Sequence, residues 1–282
     1  MGIYVFFWLL ITSWLGLEYW ALNGHLEYST LSHLQSMGYL AADMKLLTKP
    51  GGTVSLWLGW IGFGLMIIMN LYSLRKRTGA LGQMGSLRSW LNFHVFCGLL
   101  GPSLILFHSN LKARGIVGIS FWSMIISFSS GVIGRYFYLQ LLGKKADYDK
   151  AAEKWIERLN KVLESSKTKG DEALMKNVLK AALRHAGCNM EGTSINPFFA
   201  VFCSLIGDIR MYFTDPRAPV GWPPQSRLCL AQYALNMRRS LFLGPFQKIM
   251  GLWHDFHFPF AVFMYIAAVI HVISSLIFHK SV

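Results

Sequence analysis

Five apolar runs, each of twenty or more residues, leave this chain few folds to choose from. They cover 3–22, 54–74, 89–110, 115–142 and 252–279. Each is long enough to cross a hydrocarbon layer of about 30 Å, which takes about 20 residues of helix. In that layer a backbone must satisfy its own hydrogen bonds, so helices rather than open strands are expected. The composition agrees, because only 15% of residues are charged and they gather between the runs. The expected fold is all-α: a polytopic membrane helix bundle of about five transmembrane helices. Residues 1–142 carry the first four and 251–282 the last. The first run lacks a basic leader and a small-residue cleavage site, so it reads as a helix and not as a signal peptide.

Charge orients the set. The formal net charge of +13 requires no nucleic acid, since basic loops hold membrane helices in one direction. Arg75, Lys76, Arg77 and Arg88 lie between the second and third runs, and seventeen Lys and Arg fall within 143–250. The 23–53 connection and the 111–114 turn hold two each. The N-terminus, the 75–88 loop and the 143–250 segment are therefore expected in the cytoplasm and the C-terminus outside, in a bacterial inner membrane. The four cysteines form no CxxC pair, and nothing in their spacing suggests iron–sulfur or zinc ligation.

The 143–250 segment reads as a cytoplasmic helical-hairpin insertion. KKADYDKAAEKWIERLNKVLES and DEALMKNVLKAALRHAG are amphipathic and are split by SSKTKG. Asp171 suits the start of the second helix and Gly187 its end. A docking platform for a soluble partner and a plain solvated hairpin both fit. Within it, 195–213 is apolar but interrupted by Asp208 and Arg210, which favours an interfacial or re-entrant segment over a sixth span.

The chemistry sits on histidines. WLNFHVFCGLLGPSLILFHSN carries His94 and His108, and the last run carries His257 and His271. Both spacings are fourteen residues, about 3.9 turns, so each pair shares one helix face with its members about 21 Å apart. Both helices are expected to run outward, which puts His94 level with His257 and His108 level with His271. Ionisable residues at membrane depth are costly and usually functional. A six-coordinate haem iron takes an imidazole from each side, so the spacing predicts two haem b groups, ligated by His94/His257 and His108/His271. A zinc ion would need its ligands to converge on one point. Packed or proton-relaying histidines in a non-haem transporter or scaffold form the competing interpretation.

The neighbours suit large planar rings. Gly98 and Gly101 lie between the ligands of the third helix, and Gly131 and Gly134 occupy the fourth, although small-residue helix packing explains them almost as well. Arg135 is expected at the depth of His94 and His257, where a propionate would suit its guanidinium. Lys112 and Arg114 are candidates for the propionates of the outer haem.

Paired histidines at this spacing on two helices resemble the ferric-reductase-like and cytochrome b class of dihaem membrane proteins. The resemblance covers roughly 54–142 and 250–280. It implies electron transfer across the membrane between a separate soluble or peripheral redox subunit and quinone. Two departures matter. No GxGxxG-bearing flavin and nicotinamide region is present, so a separate subunit is expected to exchange electrons with this one. The PEWY motif of quinol:cytochrome c oxidoreductases is also missing.

Overall fold

The computed structural model describes residues 2–78, 83–110, 115–166, 172–188 and 196–279. Among the described residues every regular element is a helix. In chain order these are α1 (Gly2–Leu22), α2 (Thr30–Ser36), α3 (Thr53–Ile68), α4 (Leu71–Thr78), α5 (Leu87–Ser109) and α6 (Gly115–Gln140). α7 (Lys145–Ser165), α8 (Glu172–His185), α9 (Pro197–Phe213) and α10 (Gln225–His279) complete the chain. Five stretches are long and apolar enough to cross a membrane: Gly2–Leu22, Thr53–Thr78, Leu87–Ser109, Val117–Gln140 and Gln225–Ile277. The all-α membrane bundle expected from hydropathy is the fold. At 17 residues, α9 falls outside that set.

The last helix departs from expectation. It starts at Gln225, well before residue 252, and its 55 residues extend about 82 Å at 1.5 Å each. Polar residues such as Gln232, Asn236, Arg238 and Arg239 hide its first half from a hydropathy scan. Pro245 and Pro259 lie within it and do not end it, although each withholds one backbone donor.

The chain divides into two compact units, Met1–Gly131 with His257–Val282, and Val132–Phe256. In the first, α3 and α5 run antiparallel. Ser55 meets His108, Gly62 meets Gly101 and Met69 meets His94. The crossing depends on absent side chains: a Cβ on Gly62 would stand 3.0 Å from the Gly101 carbonyl, and one on Gly101 2.9 Å from Met66 Cγ. Lipid offers helices no hydrophobic reason to associate, so such close backbone approach is what holds them. α1 joins through Trp8, whose indole N–H donates to Ser103 Oγ at 3.0 Å. Glu18 explains a carboxylate within an apolar run: it is buried and accepts from Ser29 Oγ, Thr30 N and Leu31 N at 2.6, 2.8 and 2.9 Å. It thereby satisfies donors left open at the start of α2.

In the second unit, α7 and α8 bury Ala152, Leu159 and Leu163 with Val178, Ala182 and Leu183. Gly187 ends α8 at φ +84°, the left-handed cap expected of it; Asp171 lies outside the described residues. Asp208 is no mere interruption of α9. It pairs with Arg238 of α10, which is fully buried, and also accepts from Tyr136 Oη at 2.8 Å.

Candidate functional site

His108 stands in the last turn of α5 and His271 on α10, with ring centroids 6.3 Å apart and planes at 64°. Two imidazoles sharing one metal ion would be separated by about 6 Å, from two bonds of about 2 Å and about 1 Å from nitrogen to ring centre on each side. The centroid separation of the pair matches that distance and is also that of an edge-to-face ring contact.

α3 fixes the His108 ring. Its Nδ1–H donates to the Ser55 carbonyl at 2.8 Å, and Ser55 Oγ returns a bond to the His108 carbonyl at 2.9 Å. The second bond also satisfies a carbonyl that the end of α5 leaves open. One turn along α3, a Cβ at Gly59 would fall 2.8 Å from Nδ1 and 2.9 Å from Cε1. The imidazole thus lies on bare helix backbone. With the proton on Nδ1, the lone pair is on Nε2, the arrangement typical of histidines that bind metals through that nitrogen.

The other two histidines are held in the same way by other neighbours. His94 Nδ1 lies 2.9 Å from the Met69 carbonyl, with the Tyr72 ring 5.4 Å from its own. His257 Nδ1 lies 2.5 Å from Ser130 Oγ. Ser130 Oγ is also within hydrogen-bond reach of the Ser127 carbonyl at 3.0 Å, and with its proton directed there the histidine donates in the His257–Ser130 bond. His94 and His108, each facing a carbonyl, share the Nδ1–H tautomer. His108 and His271 are in mutual ring contact, and the helix register relates the rest. Met66 lies against Gly101 of α5, and its carbonyl accepts from Tyr265 Oη of α10 at 2.5 Å. Residue 101 is thus near 265 as 108 is near 271. Carried fourteen residues back, the same offset brings His94 level with His257, about 21 Å away along the axes. Among the described residues no three His, Cys, Asp or Glu side chains converge on one point, so the histidines are arranged as a pair and not as a cluster.

The glycines separate into two kinds. A Cβ on Gly131 would meet nothing within 4 Å, and one on Gly98 only Met69 Sδ at 3.7 Å. Space is available at both. Gly101 instead seats Met66, and Gly134 the indole of Trp253, which are helix-packing duties. Arg135 places its guanidinium 5.4 Å over the Tyr138 ring. It belongs to the second unit, whereas the four histidines belong to the first. Lys112 and Arg114 lie outside the described residues.

Nothing in the sequence alone marks Ser55, Gly59, Met69 and Ser130 as neighbours of the histidines. The available signal was a small or hydroxyl residue at the same depth as a histidine on a neighbouring helix, which requires knowing the neighbour. In comparisons with protein-family models, curated proteins and solved structures, nothing matches this chain.

Proposed function

We propose that this protein is the membrane subunit of a redox complex, carrying two bis-histidine haem b groups and passing electrons across the bilayer. The observation that carries this is the facing pair His108 and His271, 6.3 Å apart, repeated fourteen residues away on both helices by His94 and His257. Haem bound at these two levels supplies one-electron carriers. The chain's own part is to orient the imidazoles. Carbonyls of Ser55 and Met69 hold the Nδ1–H of His108 and His94, which keeps their Nε2 basic, and Ser130 Oγ is the hydrogen-bond partner of His257 Nδ1. The apolar bundle excludes water, and such burial together with Nδ1 hydrogen bonding tunes a haem potential. The resemblance of the paired histidines to dihaem cytochromes supports a peripheral redox subunit as one partner and quinone as the other. The distribution of basic residues supports an orientation with the N-terminus and 143–250 on the cytoplasmic side, in a membrane we take to be the bacterial inner one.

Liposomes test transmembrane transfer directly. Vesicles loaded with ferricyanide and carrying the purified protein are given dithionite outside. The trapped ferricyanide should bleach far faster than in protein-free vesicles, and His94→Leu or His108→Leu should slow it to the protein-free rate. Bleaching that is unchanged in both variants would exclude the electron path.

Two milder substitutions probe the supporting residues. Gly59→Ala puts a methyl group against the His108 ring and should shift the spectrum of one haem while leaving the other as it was. Ser130→Ala removes the hydrogen-bond partner of His257 Nδ1. Loss of such an outer partner weakens metal sites by about 10–100-fold, so haem transfer from Ser130→Ala to apomyoglobin should run correspondingly faster.

A further inference from the structure

Beyond the histidines, α9 carries an exposed apolar stripe. At about 100° per residue, Phe198, Phe202, Leu205, Ile209, Tyr212 and Phe213 fall within an arc of about 100° along its whole length. All six are exposed, from 47% at Leu205 to 84% at Tyr212. The opposite face is closed: Ala200 and Ser204 are buried, Gly207 lies against the Ala186 carbonyl, and Asp208 is tied to Arg238. With that face locked, the helix cannot rotate its apolar stripe inward.

Large apolar stripes on a protein surface mark something that covers them, and four features identify lipid. Aromatic side chains stand at both ends of the helix, the composition favoured where hydrocarbon meets headgroups. Arg210, on the flank of the stripe, and Arg217, just beyond the helix, are exposed, with exposed Asp215 as the acidic residue between them; a basic flank suits anionic headgroups. At 17 residues the helix extends about 26 Å, short for a span but ample for lying in the interface. Finally, the chain itself enters a bilayer: α10, whose Arg238 anchors α9, continues unbroken into the apolar stretch ending at Ile277.

We infer that α9 is a membrane-surface anchor, lying along the bilayer with its aromatic stripe in the acyl boundary and its arginines at anionic headgroups. It holds the 132–256 unit to the membrane independently of haem content.

Spin labels on the full chain in phosphatidylcholine–phosphatidylglycerol nanodiscs test this. Labels are placed at Phe202→Cys, Leu205→Cys or Ile209→Cys, each in a Cys203→Ser background, with Asp215→Cys as the aqueous control. Variants that keep the parent circular dichroism and elute as one peak are measured, and three stripe positions guard against the failure of any one. Oxygen should relax the stripe labels more strongly than a water-soluble nickel chelate, with the order reversed at position 215. Stronger relaxation by nickel at the stripe would place it in water, and dipolar broadening between labels would mean that a second copy covers it. Either result overturns the anchor and leaves the dihaem proposal untouched, since no histidine is altered.

Discussion

His108→Leu should leave the purified protein with one haem per chain where the parent has two. Leucine is apolar and fits a helix in lipid, but it offers no lone pair, so His271 would face an iron without its second axial ligand. The loss should be confined to one level. The ring of His94 is held by Met69 and that of His257 by Ser130, and neither depends on His108. The Ser55 Oγ bond runs to the His108 backbone carbonyl and survives the substitution, so the α3–α5 contact should persist. His271→Leu should give the same stoichiometry, and His94→Leu combined with His108→Leu should give none. A pyridine haemochrome assay on each variant measures the count. If both single variants retained the parent count, these imidazoles would be packing or hydrogen-bonding groups.

Asp208→Ala should be the most destabilising single change outside the histidine helices. It removes the carboxylate partner of Arg238, a guanidinium with no solvent exposure at all. Two carbonyls, of Ala186 and Ser204, would still accept from Nη1 at 2.7 and 3.1 Å, but the positive charge would be uncompensated. Breaking a fully buried pair costs about 3–5 kcal/mol; the Asp208 side chain is 32% exposed, which puts the loss at the low end of that range and corresponds to a Tm lower by about 8 °C in a chain of this size. Removing both charges in Asp208→Ala/Arg238→Leu should recover much of the loss, because a buried pair replaced by apolar side chains is often neutral. Thermal unfolding followed by circular dichroism in detergent decides it. A double variant no more stable than Asp208→Ala would assign the loss to the packing of α9 and not to the orphaned charge.

The division between what could and could not be seen in the sequence follows from the range of each interaction. The spans were legible because hydropathy over twenty residues is local: three of the five apolar runs match helices to within a few residues at both ends, α3 with α4 fills the second, and the fifth matches α10 at its C-terminal end alone. The histidine levels were legible for a related reason, since the helical rise converts a spacing of fourteen into a depth. Residues that act across helices were not. Asp208 looked like a break in an apolar run until Arg238, thirty positions later, supplied its partner. Glu18 lay unremarked in the first span because its partners, Ser29 to Leu31, follow the helix in a turn. Gly59 was one glycine among several in LWLGWIGFG, and only the position of His108 singles it out. Gly101 and Gly134 matched the expectation of room for a ring but are occupied by Met66 and Trp253. The start of α10 was hidden because its first half is held by side-chain burial in the second unit and not by a long apolar run.

The most direct test of the dihaem proposal is a reduced-minus-oxidised spectrum of the purified parent protein, with a haem count per chain. The proposal predicts b-type α-bands and two haems. A colourless protein, after expression with ample haem supply, would contradict it and leave the four histidines to packing or proton transfer.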